Sequence, residues 1–268
     1  MLERSIELKK RLGEGKAVVG AWITILSPAA TEILGGVGFD WLVIDAEHAP
    51  FTLEGIERSL TALSGRKAVP IVLVPGNDER IIGQVLDLGA EGVLVPRVRS
   101  SEEAWRAVAA CKYPPEGVRG FGLRHTSNYL HDADQYIKTT NSGVLIAIEI
   151  EHIEAVERLS QILAVPGIDL VFIEPMDLSA SLGLPGKLSH PRVTEAIERA
   201  IDNAQQAGIP VCFLASESPE THQQLAPRGC TVIRAGTDYL LLRRAATDTL
   251  DLFHQHLSPL THPQGKQV

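Results

Sequence analysis

Apolar runs rich in β-branched residues recur along the chain, and each is followed by a stretch with helical spacing. The runs are VVGAWIT (18–24), WLVIDAEH (41–48), PIVLV (70–74), GVLVPRV (92–98), VLIAIEIE (144–151), LVFIEP (170–175), PVCFLA (210–215) and CTVIRAG (230–236). Their hydrophobicity is continuous rather than alternating, as expected of parallel strands covered on both faces. Between them the pattern predicts helices over 27–38, 52–65, 78–89, 100–112, 152–163, 190–208, 218–229 and 238–257. Ser27 followed by Pro28 gives the first of these an N-cap and a first-turn proline. Thr52 caps the next and Glu54 places a negative charge in its first turn, while Gly55 leaves no capping box. Gly89, Gly208 and Gly229 each end a helix just before a strand.

Eight strand–helix units in a chain of this length predict an α/β fold, a (β/α)8 TIM barrel. A doubly wound open sheet is the runner-up, but it normally carries a glycine-rich phosphate turn after its first strand, and none is present. No linker interrupts the pattern. Residues 1–257 therefore read as one barrel domain and 258–268 as a C-terminal tail. The longest stretch without a clear element, 113–143, falls between the fourth and fifth strands and is expected to be a functional loop on the catalytic side.

Composition trims the list of functions. A net charge of −8 argues against a sequence-independent grip on nucleic acid or an anionic lipid surface. Three cysteines without CxxC spacing suit a reducing compartment. No apolar run reaches the length of a membrane span, and MLERSIELKK lacks the apolar core of a secretory signal. A cytoplasmic enzyme or binding protein is expected.

The polar residues carry more. In such barrels chemistry sits at the C-terminal ends of the strands. There the second run breaks into Asp45, Glu47 and His48, the fourth ends near Arg97, the fifth ends in Glu149 and Glu151, and Glu174 and Asp177 follow the sixth. Glu149 and Glu151 share one face by the strand period of two, and Asp177 adds a third carboxylate. Carboxylates so close raise one another's pKa. A hard divalent cation would resolve the repulsion, Mg2+ or Mn2+ by ligand type, with Co2+ also compatible. Salt bridging at the surface is the alternative. His48, three residues after Asp45, suits an oriented base near neutrality, against the plainer role of a surface or capping histidine. Trp22 either lines the pocket or fills the barrel.

The segments GFDWLVIDAEHAPF, LDLGAEGVLVP, YPPEGVRG, VFIEPMDLSASLG and HPRVTEAIE, in this order, resemble the HpcH/HpaI aldolase family of metal-dependent pyruvate aldolases. The resemblance runs from Leu8 to the last helix. It implies a (β/α)8 barrel assembled as a hexamer, with the last helix exchanged between neighbouring subunits. It further implies a divalent metal held by Glu151 and Asp177, His48 of the D-x-EH motif as the catalytic histidine, and Asp87 of LDLG as a supporting aspartate. Asp45 and Glu47 match acidic family positions, and the main-chain amides around Met176 and Asp177 would hold the carboxylate of a 2-oxoacid. The implied reaction joins or separates a 2-oxoacid such as pyruvate and an aldehyde. The metal chelates the 2-oxoacid, an enolate forms, and a base near His48 moves the proton. No lysine stands at a strand end, so no covalent lysine intermediate is implied.

The chain departs from its relatives at several positions. They carry an arginine in a third-strand pattern like VRVPxND, where this chain reads VLVPGND with Leu73. Arg97 stands where relatives carry methionine or another uncharged residue. It is expected to supply the missing guanidinium, oriented by Glu174 or Glu149, which replace a usual glycine and a usual glutamine or methionine. A simple pair with a surface carboxylate is the alternative for Arg97. Arg119 and Arg124 are candidates for the distal carboxylate of an acceptor, against plain structural pairing. Leu73 also keeps two further readings open: a related lyase (a 2-oxo-dicarboxylate decarboxylase or a citrate-lyase-like enzyme), and a degenerate barrel that binds a 2-oxoacid. The apparent retention of His48, Asp87, Glu151 and Asp177 favours an enzyme.

Overall fold

Eight parallel strands close into a barrel in sequence order. They are β1 (Val18–Ile23), β2 (Trp41–Asp45), β3 (Val69–Leu73), β4 (Gly92–Val95), β5 (Leu145–Ile150), β6 (Leu170–Ile173), β7 (Val211–Phe213) and β8 (Val232–Thr237). The structure, a computed structural model, describes residues 2–213, 223 and 225–257. Around the strands lie α1 (Glu3–Gly13), α2 (Pro28–Val37), α3 (Leu53–Ala62), α4 (Glu79–Asp87), α5 (Ser101–Cys111), α6 (Ala133–Gly143), α7 (Ile153–Glu157), α8 (Leu159–Leu163), α9 (Pro175–Ser181), α10 (Pro191–Ala207) and α11 (Asp238–Leu257). Among the described residues no helix is long and apolar enough to cross a membrane.

The strands bury both faces, which is why their sequences show no alternation. Trp41 and Val43, Val69 and Ile71, Leu145 and Ala147, and Leu170 and Phe172 belong to one cluster inside the barrel. Their neighbours Leu42, Ile44, Val72, Ile146 and Val171 face the helices in a second. Inside, Trp22, Trp41 and Phe172 meet edge to face with ring centroids 5.4–5.9 Å apart. Gly20 makes room for this packing, since a Cβ there would fall 2.1 Å from the Trp41 ring. The expected caps hold: the Ser27 and Thr52 side chains accept the Ala30 and Gly55 N–H groups.

Three expectations change. The helix over 152–163 breaks at Arg158 into α7 and α8. The stretch 113–143 contains α6, whose ADQYIKTTNSG sequence buries little beyond Tyr136 and Thr140 and so shows a weak apolar period. That stretch is also not on the catalytic side. It follows α5, and the helix of a strand–helix unit returns the chain to the N-terminal end of the barrel; only insertions between strand and helix reach the other end. Arg119 pairs with Asp87 at the end of α4, 2.7 Å away, while Arg124 reaches Glu57 midway along α3 at 2.6 Å. Of the helix expected over 218–229 the described part holds a 3-10 turn, Ala226–Arg228, and most of the rest lies outside the described residues, as do 214–215 of the seventh run and the tail 258–268.

The first turn of α11 is tied to the barrel through Asp238. Its carboxylate accepts the N–H groups of Thr24 and Ile25 (2.8 and 2.7 Å) and the Thr24 hydroxyl (2.7 Å). Beyond that turn the helix leaves its own barrel, with Leu242, Leu250, Leu252, Phe253 and Leu257 exposed.

At the N-terminal end Asp40 joins α1, β1 and the loop before β3. It accepts the Val19 N–H at 2.9 Å and pairs with Arg11 (2.7 Å) and Lys67 (2.9 Å). Burial alone raises its pKa, but the bonds to Arg11, Val19 and Lys67 together outweigh it and hold the carboxyl at about 2. The folded value lies below the unfolded one, so the stabilisation is present above about pH 4 and is lost as pH falls through about 2. Asp40→Asn is expected to cost about 1–2 kcal/mol in urea unfolding at pH 6, after allowing for partial solvent screening. The difference from wild type should close as the pH is taken down through that window.

Candidate active site

The strand period of two continues past the apolar interior to the C-terminal mouth. After Val43 the next inward residue is Asp45, after Ile71 it is Leu73, after Ala147 come Glu149 and Glu151, after Phe172 comes Glu174, and after Val232 comes Arg234. These residues, with Trp22, His48 and Asp177, line a cavity of about 440 Å³. The barrel is apolar where its layers pack and polar where it opens. No lysine lines the cavity among the described residues.

Asp45 shapes the loop after β2. Its Oδ1 accepts the N–H groups of Glu47 (3.1 Å) and His48 (2.8 Å), a local side-chain turn that presents the imidazole at the mouth. The His48 Nε2 lies 3.7 Å from Glu47 Oε2. The Glu47 side chain is only 5% exposed, and its Oε1 is 3.3 Å from the Arg97 guanidinium. Burial pushes the Glu47 pKa up and Glu151 adds to the rise, against His48 and Arg97.

Arg97 has a left-handed backbone, φ 59°. Its N–H points at Glu151 Oε1, 2.7 Å away, while its guanidinium reaches Glu47. The expected orientation by Glu149 or Glu174 is therefore replaced by a link through Glu47. The left-handed turn just past β4 uses the backbone of Arg97 on one carboxylate and its side chain on another. Two variants separate these roles. Arg97→Gly and Arg97→Ala both lose the guanidinium, but glycine adopts this backbone without a Cβ penalty. In thermal unfolding the glycine variant is expected to be more stable than the alanine variant by about 1 kcal/mol.

The carboxyl groups beyond form an acidic wall, of which Glu149 is the most deeply buried. Glu149 is almost fully buried, and burial, reinforced by Glu151, Glu47, Glu174 and Asp45, pushes its pKa well up. Burial also raises Glu174, against the Met176 N–H and the charge of Arg234. Burial raises Glu151 too; the Arg97 N–H opposes this and Asp177 adds to it. Met176 itself is exposed and does not line the cavity, and its N–H donates to Glu174 Oε1 at 3.2 Å. Trp22 fills both expected roles, lining the cavity and packing on Trp41 and Phe172.

Asp87 is not brought to this cavity. It faces a separate hollow with Leu53, Glu57, Gln84 and Arg124. Arg234 was missed by sequence reasoning, although the spacing from Val232 would have found it. Its guanidinium carbon lies 5.6 Å from the centroid of the Trp22 ring.

The carboxyl cluster fits a cation. Glu151 and Asp177 front the same cavity, and beyond the effect of burial the charge of Asp177 adds to the rise in the Glu151 pKa, so the two carboxyl groups are close enough to repel. Among the described residues no group of three or more His, Cys, Asp or Glu side chains is arranged to hold a metal. Glu151 and Asp177 are the two carboxyl groups here that could hold an oxygen-preferring ion.

A family model described as HpcH/HpaI aldolase/citrate lyase matches residues 19–245. A 5-keto-4-deoxy-D-glucarate aldolase from Shigella dysenteriae serotype 1 (strain Sd197) is 37% identical over 247 residues, 92% of this chain and 96% of that protein. Among solved structures, an HpcH/HpaI aldolase/citrate lyase family protein from Burkholderia cenocepacia J2315 superposes with a TM-score of 0.83 at 30% identity, covering 92% of this chain and 99% of the other. The citrate synthase SbnG gives a TM-score of 0.82 at 28% identity, over 93% and 98% of the two chains.

Proposed function

The chain belongs to the HpcH/HpaI aldolase/citrate lyase family, and on that premise we propose that it is a carbon–carbon lyase catalysing a (retro-)aldol reaction of a 2-oxoacid such as pyruvate with an aldehyde. The observation that carries this reading is the meeting of Glu151, Asp177 and the Asp45-oriented His48 on one cavity at the C-terminal mouth. A divalent cation, Mg2+ or Mn2+ with Co2+ also compatible, would be held by Glu151 and Asp177 and supplies Lewis-acid polarisation of the 2-oxo group when bound. The protein's own residues bind, orient and move the proton. Asp45 fixes the turn that presents His48. In cleavage the His48 region accepts the proton of the aldol hydroxyl as the carbon–carbon bond breaks, and a proton is returned to the enolate carbon of the 2-oxoacid. The Arg97 N–H keeps Glu151 aimed at the cavity. Burial and the neighbouring carboxyl groups push the Glu149 pKa well up, which disfavours its charged form on the cavity wall.

The name of the curated relatives supports a dicarboxylic, hydroxylated 2-oxoacid as substrate. Leu73, in place of the arginine of relatives, favours one second reading, a related lyase acting on a 2-oxo-dicarboxylate. The exposed apolar residues of α11 support a homo-oligomer, a hexamer by resemblance, with that helix packed on a neighbouring copy. The reaction is tested by incubating the protein with pyruvate in deuterated water, with and without Mg2+ or Mn2+, and following the methyl signal by NMR. Metal-dependent exchange is expected. No exchange, with ion uptake demonstrated by calorimetry, would overturn enolisation of pyruvate.

A further inference from the structure

We propose that Glu174 is a specificity-determining residue, an internal carboxylate that occupies the place the carboxylate of a 2-oxoacid needs and has to leave it when that substrate binds. The inference rests on the aldolase reading above and names what the substrate must displace.

Several donors around the mouth are already taken by carboxylates of the chain itself. Asp45 holds the Glu47 and His48 N–H groups, Glu151 holds the Arg97 N–H, and Asp238 holds those of Thr24 and Ile25. The Arg97 guanidinium is turned to Glu47.

Glu174 takes the donor next to Asp177 in the chain. It follows β6, lines the cavity, and its Oε1 accepts the Met176 N–H at 3.2 Å. Met176 directly precedes Asp177, so this N–H stands beside any group that Glu151 and Asp177 hold through an ion. Arg234, which lines the same cavity, directs its positive charge at the same carboxylate. An N–H and a positive charge acting on one carboxylate make an anion position, and Glu174 fills it from within.

A plain capping role does not call for this residue. Serine, threonine, aspartate and asparagine cap helix starts with a shorter side chain. Glutamate brings a further carboxyl group to a wall that already carries Asp45, Glu149, Glu151 and Asp177. Burial, Asp177 and Glu151 all disfavour its charged form, which the Met176 N–H and Arg234 oppose. Those two groups are the ones an incoming carboxylate would also use.

The consequence is selection by the rest of the substrate. Displacing Glu174 subtracts from the binding of every 2-oxoacid. Pyruvate, with only a methyl group beyond its 2-oxo carbon, has nothing to offset that loss. A longer 2-oxoacid whose hydroxyl groups donate to the acceptors of the wall offsets it with contacts remote from the reacting carbon. Glu174 thereby favours the longer molecule and helps pyruvate to leave.

Dissociation constants for pyruvate are measured by calorimetry at saturating Mg2+ for wild type, Glu174→Gly and Glu174→Gln. Glycine is accepted at a helix N-cap with little loss of stability and releases the Met176 N–H. Glutamine removes the charge but keeps an oxygen to accept that N–H. Pyruvate is expected to bind Glu174→Gly about tenfold or more tightly than wild type, on the scale of one charge-assisted hydrogen bond, and Glu174→Gln is expected to gain clearly less. No gain in Glu174→Gly, or an equal gain in both variants, overturns the assignment: the first leaves Glu174 a helix cap, the second a source of repulsion alone. Failure of all three proteins to bind pyruvate, with Mg2+ uptake demonstrated, overturns the 2-oxoacid reading, and this inference with it.

Discussion

Glu151→Gln is expected to remove Mg2+ or Mn2+ uptake and to lower turnover of a 2-oxoacid on the order of 10²–10³-fold, while leaving the ion-free protein at least as stable as wild type. The two halves of this result come from one cause. Burial and the neighbouring Asp177 disfavour the charged form of Glu151 in the folded protein. Its carboxylate is therefore a cost to the fold unless a cation shares the cavity. Glutamine removes the charge and keeps an oxygen able to accept the Arg97 N–H, which now donates to Glu151 Oε1 at 2.7 Å. Sites of this kind commonly trade stability for function. The decisive measurement is thermal unfolding with and without the ion. A ligand that binds only the folded state raises its melting temperature, so Mg2+ should shift wild type upward and leave Glu151→Gln unmoved. Equal shifts in both proteins would remove Glu151 from the ion site.

The barrel was legible because its strands bury both faces and its helices announce their caps. Ser27 and Thr52 do so through short local bonds that depend on nothing distant. The polar mouth was legible for the same local reason, since alternation alone places Glu149 and Glu151 on one face. Applied to CTVIRAG, the same alternation puts Arg234 inside, two residues after Val232. Leu73 directs the search for a replacement charge to a neighbouring strand end such as that of Arg97, and β8 is not a neighbour of β3. Other features could not be read locally. Whether Arg97 points at Glu47 or at Glu149 depends on a left-handed backbone at a non-glycine residue, which the sequence does not mark. The helix α6 is hidden because Tyr136 and Thr140 supply most of its buried face. Missing that helix left 113–143 looking like one long functional loop, when its position after α5 already assigns it to the opposite end of the barrel.

That misplacement has its largest consequence at Arg119, where substitution is expected to cost about 3–5 kcal/mol of stability. The Arg119 side chain is fully buried. It pairs with Asp87 Oδ1 at 2.7 Å, donates to the Tyr136 hydroxyl at 3.3 Å, and lies 4.8 Å and 5.9 Å from the ring centroids of Tyr113 and Tyr136. Gly122 closes over the same carboxylate, since a Cβ there would fall 1.9 Å from Asp87 Oδ2. Burial raises the Asp87 pKa even with the bond to Arg119 opposing it. Arg119→Met therefore strands a half-buried carboxylate without its countercharge, and much of the cost is that orphan rather than the pair itself. Adding Asp87→Asn removes the orphan, so the double variant should recover a large part of the loss in urea unfolding. The same variants decide what Asp87 does. If it serves the fold, turnover per folded molecule stays near wild type in Asp87→Asn once the melting temperature is accounted for. If turnover of the fully folded variant falls a hundredfold, on the scale of a lost acid–base group, Asp87 acts in catalysis and must reach the His48 region from another copy of the chain.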